Sequence, residues 1–427
     1  MASKENQWNK PSINKEDDDA FLYAMLLSTS HIFPMALNAA IELNVFDIIA
    51  SRANGDGYMS PSEIASQLPT KNPDAPSLLD RMLRLLASHS LLTSSIRTCE
   101  DGRVERLYGL SPAAKFYVQN EDGGYLGSLK LINFPRKAAE VWFHLKDAIL
   151  EEGNLFKNVY GISCFQHLGA DPTLNTLFNK SMADLAGITM KKVLETYKGF
   201  EGVSLLVDVA GGTGATLNMI ISKYPSIKGI NFDLPHVIKQ ASSYPASDVQ
   251  ETSPPYRQWG MGVFRSWGIS KDVFLVKYSR FGFVYVGLVR LFVLNVLASL
   301  VFFPEQSRYR AFGGDMYESV PKGDAIMIKI ICHNWSDGHC IKLLKNCNKA
   351  LQQNGKVIII DYLMPEAVES SDAAKYVSTL DNNMLVNFGG KERTEKEFEA
   401  LSKTYEFSAF HVICRVYNVL GVMELHK

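Results

Sequence analysis

The order of apolar and polar positions divides the chain into a helical first part and an alternating second part. From Ala20 to Ala50 nearly every side chain is apolar, which indicates helices that need a large buried surface. That surface is either the core of the domain itself or an interface with a second copy of the chain. Between 129 and 200 apolar residues recur at three-to-four spacing and predict further helices. Beyond Gly202 short apolar strands alternate with helices, which predicts an α/β doubly wound sheet with an antiparallel strand at its end.

The first part contains a pattern of two helices followed by a wing. Ser60 and Glu63 form a capping box that starts one helix, a second helix follows in 75–92, and 106–118 alternates as a strand and turn. Winged-helix folds often bind DNA, but the basic side chains of the second helix are only Arg81, Arg84 and His89. Because this is a poor footprint for a polyanion, the pattern predicts a structural use of the fold and no nucleic-acid partner.

Length, charge and cysteine usage limit the possible classes of protein. A chain of 427 residues exceeds one ordinary core, so we predict two domains, 1–120 and 121–427. With 44 basic and 45 acidic residues the formal charge is -1, which provides no global attraction for nucleic acid or anionic lipid. The six scattered cysteines include no CxxC pair, and the polar start lacks a signal-peptide pattern, so reduced thiols and a cytoplasmic location are expected. The spacing of Cys332, His333, His339 and Cys340 fits no usual zinc pattern, and no metal is predicted.

A glycine-rich turn follows the first apolar strand of the second part. In the segment 205–215 the strand ends in Gly211, Gly212 and Gly214, which let the backbone approach a ligand closely. The next strand ends in Asp233, whose carboxylate can accept from both hydroxyls of a ribose. No polyphosphate motif is present, so a nucleoside without phosphates is indicated, and S-adenosylmethionine is such a ligand. The alternative is a tight turn with a helix-capping aspartate.

Several segments together resemble the caffeate-type plant O-methyltransferases over nearly the whole chain. The segments are VDVAGGTGA, NFDLPHVI, GGDMYESVPKGDAIMIKIICHNWSDGHC, KNCNKAL, NGKVIIIDYLMP and GGKERTEKEFEAL. The resemblance implies a Rossmann-like methyltransferase domain preceded by a mostly helical winged-helix domain that forms a homodimer. It also implies that S-adenosylmethionine is the methyl donor and that the substrate is a small phenol, such as a phenylpropanoid or flavonoid.

The resemblance implies roles for individual residues. It gives His333 as the catalytic base, flanked by Asp361 and Glu392. The implied donor-binding residues are Gly211, Gly212, Gly214, Asp233, Asp315, Met316 and Lys329. The implied substrate-binding residues are Asn133, Phe165, Phe178, Met182 and Asn387. Leu185 and Ala186 stand where caffeate-specific relatives have polar residues, so a less polar pocket is expected.

The implied chemistry is physically consistent. A phenol with a pKa near about 10 is a poor nucleophile at neutral pH, whereas its phenolate attacks a sulfonium methyl readily. A histidine can take the proton because its pKa lies near the working pH, and acids beside it would stabilise the imidazolium. The alternative for His333 is a helix-start or core histidine. An aromatic amine is the rival substrate, but it is already nucleophilic without a base, so His333 favours oxygen.

Three features depart from the family pattern. Ala210 stands at the first glycine of the donor loop, and Asn334 replaces the acid after the catalytic histidine. An insertion is predicted from Ala246 to Phe312, and within it Phe281–Phe303 resembles a membrane span. Because the segments on both sides should pair in one sheet, an intron-derived stretch is favoured over a membrane anchor. An inactive product remains the further alternative.

Overall fold

The described part of the chain comprises several ranges. The computed structural model describes residues 15–52, 57–119, 124–132, 139–241, 248–250, 308–405 and 407–427. They form two compact units, 1–193 with 382–389 and 194–381 with 390–427. The predicted boundary between 120 and 121 falls inside the first unit. Asn133 and the apolar segment Phe281–Phe303 lie outside the described residues, so their predicted roles stay predictions.

The first unit is mostly helical and includes one small sheet. Its helices are Lys15–Ser28, Ile32–Glu42, Val45–Ala50, Pro61–Ala65, Ala75–Ser88, Leu126–Ile132, Asp147–Leu150, Leu155–Tyr160 and Cys164–Ala170, and Pro172–Thr196 begins in it. Strands β1 (Tyr58–Met59), β2 (Leu92–Thr98) and β3 (Val104–Leu110) form an antiparallel sheet in the order β1-β3-β2. The predicted capping box is confirmed: Ser60 Oγ accepts from the Glu63 amide at 3.2 Å, and Glu63 Oε2 accepts from the Ser60 amide at 2.7 Å. A helix therefore starts where the sequence places it.

The apolar segment Ala20–Ala50 divides into two kinds of surface. In helix Ile32–Glu42 Leu37 and Ile41 are buried in the core of the unit. Helix Lys15–Ser28 instead has no buried residue, and Phe21 is 64% exposed. Among the described residues, no single helix has the length and apolar character of a membrane span, and these two helices pass only as a pair bent by 51°.

The second unit is built on one eight-stranded sheet. Its strands are β4 (Leu205–Val209), β5 (Lys228–Asp233), β6 (Asp248–Gln250), β7 (Tyr309–Gly313), β8 (Gly323–Lys329), β9 (Leu351–Tyr362), β10 (Ala409–Val416) and β11 (Leu420–His426). The helices are Ala215–Lys223, Pro235–Ala241, Asp337–Ala350, Glu395–Lys403 and most of Asp372–Phe388. The order is β10-β11-β9-β8-β4-β5-β7-β6, parallel from β6 to β9 and antiparallel at β11 and β10. This confirms the predicted α/β fold with its antiparallel end.

Strand β7 changes the extent of the predicted insertion. It pairs in parallel with β5, from Gly229 opposite Tyr309 to Asp233 opposite Gly313. Tyr309 and Ala311 are buried, so the strand is part of the core. The last four residues of the predicted insertion, 309–312, therefore belong to the sheet, and their side chains alternate between buried and less buried positions as in a paired strand. Residues 248–250 near its start belong to the sheet as well, because β6 pairs in parallel with β7. The stretch 251–307 lies outside the described residues.

Candidate active site

The site lies at the carboxyl edge of four neighbouring parallel strands. The sheet order places β5, β4, β8 and β9 side by side. Asp233 ends β5, Ala210 follows β4, Lys329 ends β8, and Asp361 lies near the end of β9. Because parallel strands present their carboxyl ends at one edge, the fold brings these residues to the same side of the sheet.

The glycines of the donor loop are required by their surroundings. A Cβ on Gly211 would lie 2.2 Å from Asn231 Oδ1 and 2.7 Å from the Asp208 carboxylate. Gly214 has a φ of +84°, and a Cβ there would lie 2.1 Å from the Tyr309 hydroxyl. Gly214 caps helix Ala215–Lys223, so the loop leads directly from a buried strand into a helix start. Such a loop exposes backbone amides to a ligand.

Asp233 and Asn231 hold this loop in place. Asp233 Oδ2 accepts from the Gly212 amide at 2.8 Å, and its Oδ1 accepts from the Leu234 amide at 2.6 Å. Asn231 Nδ2 donates to the Gly212 carbonyl at 2.9 Å. Burial raises the pKa of Asp233, although the two amides oppose that effect. Asn231 was not predicted as a site residue; its signal is a polar side chain within an otherwise apolar strand.

A buried acid beside the loop was also missed. Asp208 is 1% exposed, and burial raises its pKa to about 7 while Lys329 opposes the rise. Burial lowers the pKa of Lys329 to about 8, against the field of Asp208 and Asp361. The carboxylate Oδ2 of Asp208 has no hydrogen-bond partner within the described ranges. The available signal for Asp208 was an acid within an otherwise apolar strand that leads into the glycine turn.

Two of the predicted donor-binding residues, Asp315 and Met316, lie shortly after β7. Asp315 is exposed, and its Oδ1 accepts from the Tyr317 amide at 2.8 Å. Met316 is half-buried against the core of the unit, and its carbonyl accepts from Asn346 Nδ2 at 2.9 Å. The role of both residues in donor binding stays a prediction.

His333 and its two predicted partners form a buried cluster. His333 lies on the short 3-10 turn Cys332–Asn334 that follows β8. Its Nδ1 is 2.7 Å from Glu392 Oε1 and 3.9 Å from Asp361 Oδ1. All three side chains are almost fully buried. The fold thus brings together three residues separated by up to 59 positions in the sequence.

The electrostatics of this cluster make His333 a stronger base than a free histidine, because they raise its pKa. Burial lowers the pKa of His333, but Asp361 and the hydrogen bond with Glu392 outweigh burial, and the net pKa is raised. Burial raises the pKa of Glu392 to about 7, partly offset by His333. Since Nδ1 is engaged by Glu392, Nε2 is the ring nitrogen left for exchange with a substrate. Histidine and carboxylates also bind metals, and their ligand atoms lie within 4.8 Å of one another.

The predicted phenol-binding residues that the structure describes lie in the first unit. The Phe165 ring lies edge to face with the Phe178 ring, with the ring centroids 6.4 Å apart, and its centroid is 5.0 Å from that of Phe388. Asn387 Nδ2 donates to Asn383 Oδ1 at 2.9 Å, and Met182 is half-buried on helix Pro172–Thr196. These aromatic contacts also suit a simple core, so the substrate role stays a prediction.

Comparison with known proteins matches both parts of the chain. The O-methyltransferase domain family matches residues 142–254 and 293–408, and the O-methyltransferase dimerisation domain matches 25–120. The unmatched stretch 255–292 falls inside the predicted insertion. The chain is 48% identical to a caffeic acid 3-O-methyltransferase of Prunus dulcis, covering 96% of each chain. It is 46% identical to that of Catharanthus roseus, covering 99% of each, and 48% identical to O-methyltransferase 13 of Lophophora williamsii.

Solved structures agree on the fold. Human N-acetylserotonin methyltransferase in complex with SAM matches with a TM-score of 0.68 at 19% identity, over 100% of this chain and 99% of that one. The mitomycin 7-O-methyltransferase matches with a TM-score of 0.64 at 19% identity, over 96% and 99%. At such identities the likeness concerns the fold alone. With the family matches and the close plant relatives, the conclusion is that the chain belongs to the O-methyltransferase family in which a dimerisation domain precedes the catalytic domain.

Proposed function

We propose that this protein methylates a hydroxyl of a small phenol, using S-adenosylmethionine as donor and His333 as general base. The observation that carries the proposal is the buried 2.7 Å hydrogen bond between His333 and Glu392, one strand away from the glycine loop. A histidine held by an acid at one ring nitrogen is arranged to take a proton at the other.

The donor site fits a positively charged nucleoside. Three acids, Asp208, Asp233 and Asp315, surround or follow the glycine loop, and the buried Asp208 Oδ2 and Asn231 Oδ1 have no hydrogen-bond partner among the described residues. The absence of room for a Cβ on Gly211 keeps the loop backbone close to the Asn231 and Asp208 side chains. S-adenosylmethionine supplies an electrophilic methyl on a sulfonium. The glycine amides, Asp233 and Lys329 would hold and orient it.

The protein groups act on the phenol. His333 Nε2 removes the hydroxyl proton, and the phenolate oxygen becomes the nucleophile. Glu392 fixes the tautomer through Nδ1, and Asp361 stabilises the imidazolium across 3.9 Å. Transfer then needs the oxygen in line with the methyl, which is a matter of positioning.

The substrate class follows from the relatives. Two relatives named above are caffeic acid 3-O-methyltransferases, which supports a phenylpropanoid or flavonoid hydroxyl. Leu185 and Ala186 favour a less polar ring than that of caffeate. The retention of His333 favours oxygen over an aromatic amine.

A homodimer in the cytoplasm completes the proposal. The dimerisation-domain match begins at residue 25, within helix Lys15–Ser28, whose apolar side chains are exposed. Tyr23 and Leu26 are 62% and 63% exposed, and a second copy of this helix offers matching apolar surface. The near-neutral charge gives no reason to expect a nucleic-acid partner.

The test is methyl transfer by His333→Ala beside the matched control His411→Ala. His411 is an exposed histidine of β10 in the same unit, so its loss should leave turnover unchanged. His333→Ala should lower kcat with phenols by about 10² to 10⁴ while calorimetric donor affinity is kept. Turnover within about threefold of wild type, less than 1 kcal/mol of barrier, would remove His333 from the role. A faster reaction with anilines than with phenols would favour the amine alternative.

A further inference from the structure

We propose that Arg393 is a positioning residue that fixes the turn carrying His333 against the loop carrying Glu392. The inference rests on the proposed function, in which His333 is the base. Arg393 is the neighbour of Glu392 in the chain, and its side chain is 0% exposed. Nothing in the family pattern described above gave it a role.

The guanidinium of Arg393 binds both ends of the catalytic turn. Nη1 donates to the Cys332 carbonyl and Nη2 to the Trp335 carbonyl, each at 2.7 Å. Nε and Nη2 also donate to Asp337 Oδ1 at 2.9 and 2.8 Å. The planar fork of one arginine thus spans the residues before and after His333. A lysine cannot reproduce this geometry, because its ammonium is a single point of donation.

A second contact fixes the same loop from its other end. Gly390 lies so close to the turn that a Cβ would meet the His333 carbonyl oxygen at 2.0 Å and the Asn334 carbonyl carbon at 2.6 Å. The hydrogen bond between His333 and Glu392 therefore lies between two backbone contacts, one at Gly390 and one at Arg393. The loop therefore contacts the turn at Gly390, Glu392 and Arg393.

The backbone of Arg393 is anchored independently of its side chain. Its carbonyl accepts from the Met364 amide at 2.9 Å, and it forms a parallel bridge with Leu363 after β9. The next residue, Thr394, caps helix Glu395–Lys403. The guanidinium therefore extends from an anchored backbone, and it restrains the turn that carries His333.

Charge and position make opposite predictions for pH dependence. The positive charge of Arg393 opposes protonation of His333, so removing that charge alone would raise the pKa of His333. Loosening the turn would weaken the bond with Glu392, which would lower the pKa of His333. The acid limb of the pH profile moves to lower pH if Arg393 acts by position. If only the charge of Arg393 matters, the acid limb stays at the same pH in Arg393→Lys, because lysine keeps the positive charge.

The experiment compares Arg393→Lys with wild type and with Arg415→Lys. Arg415 is an exposed arginine of β10 paired with Glu395, so its replacement should leave all constants unchanged. For Arg393→Lys we expect kcat to fall about tenfold or more, as small misplacements of catalytic groups do. The acid limb of kcat should move to lower pH, and donor affinity should stay within about threefold, since the donor loop is on other strands.

A double mutant separates positioning from general structure. If Arg393 acts through the bond between His333 and Glu392, then adding Arg393→Lys to Glu392→Gln should cost less than about threefold further in kcat. An additive loss would overturn the proposal, as would a single Arg393→Lys variant with kcat within about threefold of wild type.

A variant that does not fold and a failure of the proposed function can both be distinguished from a failure of this inference. If Arg393→Lys does not fold, Asp337→Asn provides the test, because Asp337 is half exposed and its charge holds the fork; unchanged kcat and pH profile would overturn the proposal. A wild-type chain without methyl transfer to phenols, or a fully active His333→Ala, would overturn the proposed function and this inference with it. An inactive His333→Ala beside a fully active Arg393→Lys would count against Arg393 alone.

Discussion

Ala210 stores backbone strain in the donor loop, and relieving it should stabilise the protein. Its φ is +54°, in the left-handed region, and its amide donates to the Phe232 carbonyl at 2.7 Å. That bond joins the end of β4 to β5, so the conformation is imposed by the sheet. Ala210→Gly keeps the backbone and removes the methyl that makes this conformation costly.

The expected gain is the difference between two terms. A left-handed conformation costs an L-residue roughly 1–2 kcal/mol, which glycine avoids. Glycine loses about 0.4–1 kcal/mol because its unfolded chain has more freedom. With the middle of each range, about 1.5 less about 0.7, the net gain is about 0.8 kcal/mol, which corresponds to a rise in Tm of roughly 2–3 °C for a unit of this size. Donor affinity should change little, because the loop already has this shape.

The assay measures Tm by thermal unfolding at one scan rate, with circular dichroism as the signal. Ala400→Gly is the matched control, since Ala400 is exposed inside helix Glu395–Lys403 and its replacement should cost about 1 kcal/mol. We expect Tm to rise for Ala210→Gly and to fall for Ala400→Gly. If both variants fall alike, Ala210 is not strained, and the reasoning from its φ is refuted.

Three other predictions test the site and the insertion. Asp233→Ala should weaken donor binding by about 1–3 kcal/mol in calorimetry, and an unchanged affinity would remove it from the site. Glu392→Gln removes a charge that raises the pKa of His333. Because the protonated base is inactive, the acid limb of the kcat/KM profile should move to lower pH. A shift of this limb to higher pH would contradict the prediction. Deleting 251–307, which keeps β6 and β7, should give a soluble, donor-binding protein. Deleting 246–312 removes both strands and should not fold; equal behaviour of the two forms would show that these strands are dispensable.

The sequence was sufficient for features with a regular signature. Alternation of apolar strands and helices predicted the sheet and its antiparallel end, and Ser60 with Glu63 predicted a helix start. The end of the insertion was predicted wrongly, because the five residues of Tyr309–Gly313 are a weak strand signal beside the long apolar run Phe281–Phe303. The buried and exposed alternation of that strand was nevertheless present in its residues.

Features that depend on backbone acceptors left no such signature. Arg393 binds two carbonyls and one carboxylate, and every residue has a carbonyl, so the sequence could not indicate which ones an arginine would reach. The crowding of Gly390 against the His333 carbonyl is equally invisible without coordinates. Resemblance to a family predicted which side chains contact ligands, and the structure adds the contacts of Arg393 and Gly390 with the turn of His333.

The donor loop and the catalytic turn begin with the same backbone device. Ile330, directly after β8, has a φ of +55°, and its amide donates to the Ile360 carbonyl of the neighbouring strand at 2.8 Å. Ala210 does the same after β4. Left-handed φ values in such residues cost roughly 1–2 kcal/mol each and persist only where the surrounding structure enforces them. Each residue turns the chain at the sheet edge while keeping one hydrogen bond to the neighbouring strand, so the glycine loop and the turn of His333 both leave the same carboxyl edge of the sheet through a strained residue.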